Sequence, residues 1–276
     1  MKHTLLMILT LSAVMACGCH TATRKRAVAE TADNAAASAA ARVVKRYGVR
    51  TVAVYPHSTD AYTQGLLMAD GKLYEGTGLN GRSQLRRIDL QSGEVEKRAE
   101  LPRRYFGEGI ALLGDKIYQI TWTSGKAFVY DKASFARLSE FDYKGEGWGL
   151  TTDGSKLYMS DGSNRITVRN PATFAAERTI EVRMAGKALS GLNELEWIDG
   201  EIWANVYTTD TIVRISPADG SVTGIIDLQG LQSPTDVSFD TDVLNGIAYD
   251  APTGRILVTG KNWNKIYQIE LTDDGH

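Results

Sequence analysis

Glu108 stands between two glycines in the stretch "FGEG" (106–109), and the apolar run "IALL" follows directly. An ionisable side chain opening a buried-looking strand is either a solvated turn residue or a group placed for chemistry. One segment alone cannot separate the two, but the template recurs. Matching segments begin at Gln64 ("QGLLMADGKLYEGTG"), Glu108 ("EGIALLGDKIYQITW"), Trp148 ("WGLTTDGSKLYMSDG"), Asn193 ("NELEWIDGEIWANVY") and Asn245 ("NGIAYDAPTGRILVTGK"). Gly65, Gly109, Gly149 and Gly246 follow the opening residue in four of the five, as close strand packing or backbone approach requires. Two other columns differ between segments where a scaffold position would repeat. The opening column reads Gln64, Glu108, Trp148, Asn193, Asn245; the closing column reads Gly78, Trp122, Gly162, Tyr207 and, past a two-residue insertion, Lys261. One carboxylate, one lysine, three amides and three large aromatics make up a small-molecule site, with apolar walls and a few convergent polar groups.

Those columns meet only if the elements carrying them are arranged around one opening. Each segment is a short apolar run, a turn containing Gly or Asp, and a β-rich run ("KLYEG", "KIYQI", "KLYMS", "EIWAN", "RILVT"), which is a β-hairpin. A third alternating strand follows at 84–90, 126–131, 165–170, 211–216 and 265–271. Turns such as "QSGE", "NPAT" and "SPADG" lead to a fourth: "EVEKRAEL", "ARLSEFDY", "AERTIEV", "VTGIIDL". Four strands at a period of about 40–45 residues are the mark of propeller blades, and the period argues against a β-sandwich. Five units fit residues 50–271, but the last runs out of chain after its third strand. "VRTVAVYP" (49–56) supplies the missing one and leaves no open edge. The expected fold is an all-β, five-bladed β-propeller with four antiparallel strands per blade, its N-terminal strand closing the last blade. The first strand of a blade lines the channel, and its start lies beside the end of the second strand. Both variable columns therefore face one mouth.

Composition places three segments along the chain. Residues 1–19 read as an export leader: Lys2 and His3 precede the short apolar run "TLLMILTLSAVMA", too short to span a bilayer comfortably. It ends in "VMAC", which resembles a lipobox with Cys17 as the lipidated residue, although Met15 is an unusual member of that pattern and cleavage beside Ala16 by ordinary signal peptidase is the other outcome. One acylated Cys17 would tether an exported, periplasmic domain to a membrane face. Residues 20–46, rich in Ala, Thr and charge, read as a linker, and 47–276 as the propeller domain. A net charge of −2 with interspersed signs carries no nucleic-acid footprint. Both cysteines, Cys17 and Cys19, precede the domain, and of the four histidines only His57 is near it. No disulfide, no zinc centre built on His or Cys and no cofactor is expected. A closed ring has no built-in need to assemble, so a monomer is expected.

The motifs "YTQGL", "YEGTGLNGRS", "FGEGI", "WGLTTDG", "LNELEW", "WANVYTTD", "RISPADG", "DVLNGIAYD" and "LVTGK" resemble, in order and spacing from about residue 52 to 271, the plant and bacterial glutamine cyclotransferases. The resemblance implies a metal-independent five-bladed propeller acting on peptides or proteins with N-terminal Gln. The α-amine attacks the side-chain amide, ammonia leaves and pyroglutamyl peptide remains. It implies Glu108 as acid/base residue, with Gln64, Asn193 and Lys261 at the matching family positions. The aromatic wall maps onto Trp122, Trp148 and Tyr207, with Tyr62 and Phe106 at its rim. Some members carry Trp where this chain has Tyr207. Such chemistry needs the amine held against the δ-carbonyl, a carboxylate to move its proton, and donors such as Lys261 and Asn193 for the developing oxyanion. Aromatic walls would raise Glu108, whereas a nearby lysine would lower it, so the net sign is open at this point. Two rivals remain. A metal-dependent lactonase-type propeller would place Glu108, Asn193 and Asn245 around a divalent ion. Against it stand the single evident carboxylate, a lysine that would repel the ion, and five repeats where that family has six. A non-catalytic periplasmic binding propeller would lack the Glu–Lys pair at its mouth.

Overall fold

The alternation read from the sequence becomes five four-stranded antiparallel units in a computed structural model that describes residues 44–273. The leader, Cys17 and the linker up to residue 43 lie outside the described residues. The first blade comprises Thr63–Ala69, Lys72–Thr77, Gln84–Ile88 and Val95–Glu100. The second runs Gly107–Leu113, Lys116–Thr121, Lys126–Asp131 and Arg137–Asp142, and the third Leu150–Thr152, Leu157–Ser160, Arg165–Arg169 and Ala176–Glu181. The fourth is Leu192–Ile198, Glu201–Val206, Thr211–Ile215 and Val222–Asp227. The fifth holds Leu244–Asp250, Arg255–Gly260 and Lys265–Asp273, and its outer strand is Lys45–Pro56.

Apolar residues alternating along these strands bury one face of each blade against the next. One core cluster occupies each junction. Leu67, Ile110 and Phe128 join the first two blades; Ala111, Leu150 and Leu157 the next pair. Tyr158, Leu195 and Ile202 follow, then Trp203, Ile247 and Val258. Leu66, Leu73, Ala248 and Leu257 close the ring between the fifth blade and the first. The five first strands touch in the same cyclic order and surround the axis. At their mouth ends they meet backbone to backbone. A Cβ on Gly109 would sit 2.5 Å from the amide nitrogen of Leu150, and one on Gly149 would sit 2.0 Å from the carbonyl oxygen of Asn193. This contact is the reason Gly65, Gly109 and Gly149 are glycine; Gly246 is held by its φ of +125° instead, and the fourth segment carries Glu194 in this column.

The closing strand is longer than the alternation marks. It starts at Lys45, not Val49, because the stretch "KRYG" has no apolar alternation and is held by parallel backbone pairing and by Tyr47, whose hydroxyl accepts from Arg214 at 3.0 Å. Lys45, Arg46 and Tyr47 run parallel to Gly224, Ile225 and Ile226 of the fourth blade. From Tyr47 to Pro56 the strand pairs antiparallel with Lys265–Asp273. One strand thus joins two blades into an eight-stranded sheet. A buried latch follows at once. His57 Nδ1 lies 2.9 Å from the carbonyl oxygen of Trp263, and its Nε2 lies 3.0 Å from Glu75 Oε1. Thr63 Oγ1 donates to the same Glu75 oxygen at 2.7 Å. Burial pushes Glu75 up, but the charge and hydrogen bond of His57, with Arg86, outweigh it and hold the carboxyl below its ordinary value.

Candidate active site

The first strands start with a register break. Pairing slips between Thr63 and Gly65, Gly107 and Ile110, Leu192 and Leu195, and Leu244 and Ile247. Such bulges bend a strand and re-aim a side chain, and they gather beside functional sites. Here each bulge spans the opening column, so Gln64, Glu108, Asn193 and Asn245 leave strict alternation. Around the mouth, Tyr62, Gln64, Phe106, Glu108, Trp122, Trp148, Asn193, Tyr207 and Lys261 line one cavity of about 170 Å³. The nine residues that the family resemblance maps to the site are therefore brought together; Asn245, read from the opening column as a third amide of the mouth, does not line the cavity. Pockets for drug-sized ligands run to about 300–1,000 Å³, so this one is sized for a single residue.

Polar groups form the floor. Glu108 is 4% exposed, and Gln64 Nε2 donates to its Oε1 at 3.0 Å. Gln64 is itself oriented by Asn245, whose Nδ2 donates to Gln64 Oε1 at 3.2 Å and to the Thr63 carbonyl at 2.9 Å. The Asn245 side chain is thereby committed to the first blade rather than to the pocket. Burial pushes the Glu108 carboxyl well above its ordinary value; Lys261 opposes the shift and Glu146 adds to it. Lys261 is 4% exposed and forms no ion pair with a described carboxylate. Its Nζ sits 4.9 Å from the ring centre of Tyr62 and 5.2 Å from that of Tyr207, a cation–π seat. Burial lowers its pKa, against the pull of Glu108 and Asp242. Asn193 is buried, and its Oδ1 has no hydrogen-bond partner.

The aromatic groups form the walls. Tyr62 meets Phe106 edge-on at 6.2 Å, and Phe106 meets Trp122 at 5.6 Å. Opposite them, Trp148 and Tyr207 are edge-on at 5.3 Å. Gly162, at φ +77°, leaves the room that the Trp148 ring fills, since a Cβ there would lie 2.6 Å from it.

Three residues of this neighbourhood escape the sequence reading. Glu146 Oε2 accepts from both Trp122 Nε1 and Trp148 Nε1. Its signal was visible: "GEG" recurs at 145–147, and Glu146 occupies the column of Tyr62 and Phe106. The other two are Glu194 and Glu196; it is Glu146, bonded to two rings of the cavity wall, that corrects the single carboxylate read at the mouth. Glu194 accepts from the amides of Leu66 (3.2 Å) and Ile247 (2.9 Å), and Glu196 from that of Tyr249 (2.9 Å). Burial pushes Glu194 well up and Glu196 up to about 8. They tie first strands together below the mouth and do not line the cavity. The bulge between Leu192 and Leu195 hides this, since simple alternation would not send Asn193 and Glu194 into the channel together. Among the described residues, no three His, Cys, Asp or Glu side chains gather in a metal-binding cluster.

Comparison with known proteins agrees with this geometry. The model of the glutamine cyclotransferase family matches residues 22–271. A glutaminyl-peptide cyclotransferase of Arabidopsis thaliana is 44% identical over 227 residues, covering 81% of this chain and 71% of the relative. The crystal structure of a Myxococcus xanthus glutaminyl cyclase superposes with a TM-score of 0.79 at 35% identity, over 83% of this chain and 98% of that one. With the repeat, the ring closure and the match across nearly its whole length, this chain belongs to the glutamine cyclotransferase family.

Proposed function

We propose that Glu108 is the acid/base residue of this glutaminyl-peptide cyclotransferase, working in a pocket that holds one N-terminal glutaminyl residue folded back on itself. The enzyme converts N-terminal glutamine of peptides to pyroglutamate and releases ammonia, as its family membership establishes. The observation that carries the assignment of Glu108 is its burial on the floor of a residue-sized cavity, where desolvation holds its carboxyl far above the ordinary range. A carboxyl raised by burial is a stronger proton acceptor than a solvated one, as acid/base work requires.

The steps balance on residues in the site. The neutral α-amine attacks the δ-carbon of its own side chain, forming the ring C–N bond and placing charge on the amide oxygen. The Lys261 ammonium and Asn193 donate to that oxygen. Glu108, ionised, takes the proton from the attacking nitrogen and delivers it to the leaving nitrogen. The old C–N bond breaks and ammonia departs. Gln64, oriented by Asn245, fixes the carboxylate. Tyr62, Phe106, Trp122, Trp148 and Tyr207 pack around the substrate side chain and keep out water, which would otherwise hydrolyse the amide. Holding amine and carbonyl together contributes much of the acceleration.

The reading extends to place and state. The leader at 1–19 supports export to the periplasm, and "VMAC" supports a lipid tether on Cys17. The reaction is assigned to the residues above without a metal or cofactor, and the enzyme to a monomer.

Ammonia release from a glutaminyl dipeptide tests the assignment. Wild-type turnover is expected with and without chelator. Glu108→Gln should lower kcat by about 10²–10⁴-fold, the usual range for loss of a general acid/base. Absence of turnover on every N-terminal Gln peptide would remove the activity, and full activity in Glu108→Gln would remove the role.

A further inference from the structure

We propose that Glu146 is a positioning residue of the active site: one carboxylate oxygen ties the Trp122 and Trp148 rings together, and its negative charge acts on Glu108, which lines the same cavity as those rings. The inference rests on the acid/base reading of Glu108 for its kinetic half, while its structural half stands on geometry alone.

Contacts around the mouth form a closed belt. Tyr62 meets Phe106, Phe106 meets Trp122, Trp148 meets Tyr207, and the Lys261 ammonium lies between Tyr207 and Tyr62. The belt has one gap, between Trp122 and Trp148, which come from different blades. Glu146 Oε2 fills it, 2.7 Å from Trp122 Nε1 and 2.9 Å from Trp148 Nε1. An indole N–H only donates, so two indoles cannot bond each other directly and need an acceptor between them. An anionic acceptor makes the stronger bond.

Glu146 is exposed, yet its backbone is not free to wander. The Gly147 amide donates to the Trp122 carbonyl at 2.9 Å, and the Trp148 amide donates to the Ser160 carbonyl at 3.0 Å. A Cβ on Gly147 would lie 2.3 Å from the Tyr143 hydroxyl, so the chain passes close beside that ring. The carboxylate is thus delivered to the indoles by a pinned turn. Trp122 is 41% exposed, and a ring that open to solvent needs such a stop to hold one orientation.

The charge has a second effect. Glu108 is faced by Lys261 from the fifth blade and by the Gln64 amide from the first; its charge also bears on the phenols of Tyr62 and Tyr143. Asp242 bears on Lys261 and accepts from the Tyr62 hydroxyl. Lys144 lies two residues before Glu146 on the same turn. In this set Lys261 pulls the Glu108 carboxyl down and Glu146 pushes it up. Removing Glu146 therefore lets Glu108 ionise at lower pH.

Two variants separate the roles. Glu146→Gln keeps an acceptor oxygen and loses the charge. Its KM should stay within about twofold of wild type, while the acid limb of the kcat/KM profile moves to lower pH. Glu146→Ala loses both. It should show the same shift of the limb and a KM raised about tenfold, as substrate-positioning rings come loose. Thermal unfolding should be nearly unchanged in both, because the residue is exposed. Independently of activity, the indole N–H resonances of Trp122 and Trp148 should move in Glu146→Ala, and those of Trp197, Trp203 and Trp263 should not. An acid limb that stays in place in Glu146→Gln would overturn the charge role. Unmoved indole resonances in Glu146→Ala would overturn the clamp, even if wild type proved inactive on glutaminyl peptides.

Discussion

At the scale of single residues, the pocket sets two ionisable groups against each other in a dry place. Burial raises the Glu108 carboxyl, and the same burial lowers the Lys261 ammonium. Each is partly restored by the other, a coupling that on the proposed mechanism keeps a proton acceptor and an oxyanion donor available in one small volume. Lys261 is seated on two aromatic faces instead of a carboxylate, which on the proposed mechanism leaves its N–H groups for the substrate oxygen. Lys261→Met should lower kcat by about 10²–10³-fold, as loss of one oxyanion donor does. The sign of its pH effect is opposite to that of Glu146→Gln. Without the cation, burial and Glu146 act on Glu108 unopposed, so the acid limb of kcat/KM should move to higher pH. A pH–rate profile on a glutaminyl dipeptide checks both points.

At the scale of elements, the working parts are the mouth ends of the five first strands. Bulges there turn adjacent residues such as Asn193 and Glu194 into the channel, one beside the cavity and one below it. Glycines next to the bulges let neighbouring strands touch through their backbones, which brings side chains from different blades within reach of one residue-sized ligand. The contact leaves no room for a methyl group. Gly149→Ala would place its Cβ 2.0 Å from the Asn193 carbonyl oxygen, and backbone has to move to admit it. Overpacking of this kind costs about 1–3 kcal/mol. Urea unfolding should show that loss, and kcat should fall as well, because the displaced strand carries Asn193. Gly154→Ala, at an open turn with nothing near its Cβ but with φ +87°, should lose stability through backbone strain yet leave kcat unchanged, and so separates destabilisation from displacement of Asn193.

At the scale of the molecule, function depends on ring closure, because Lys261 and Gln64 come from blades that meet only when the two ends of the domain are joined. The Lys45–Pro56 strand makes that junction, and the His57–Glu75 latch locks the segment leading into the first blade. Glu75 is fully buried among His57, Arg86 and Thr63. Breaking a buried pair by removing one charge costs about 3–5 kcal/mol, and Glu75→Gln should lose stability on that order at neutral pH. The pH dependence has a definite sign. The folded carboxyl lies below its ordinary value, so its contribution is present above the ordinary carboxylate range and is lost as pH falls through the folded value. The stability gap between wild type and Glu75→Gln, measured by urea unfolding, should therefore be largest near neutral pH and shrink in acid.

By itself, the sequence determined the blade repeat, the closing strand from Val49 and seven of the nine cavity residues, because each rests on a local period of apolar residues and turns that survives in one dimension; Tyr62 and Phe106 came from the family resemblance. Tertiary structure decided what those residues face. The place of Glu146 between two indoles, the commitment of Asn245 to Gln64 and the descent of Glu194 and Glu196 into the channel all depend on bulges and interblade contacts. Alternation has no period that records a bulge, and hydrogen bonds between blades join positions whose separation along the chain carries no pattern. The direction in which Glu108 shifts is of the same kind: it is set by how completely five blades exclude water from one carboxylate.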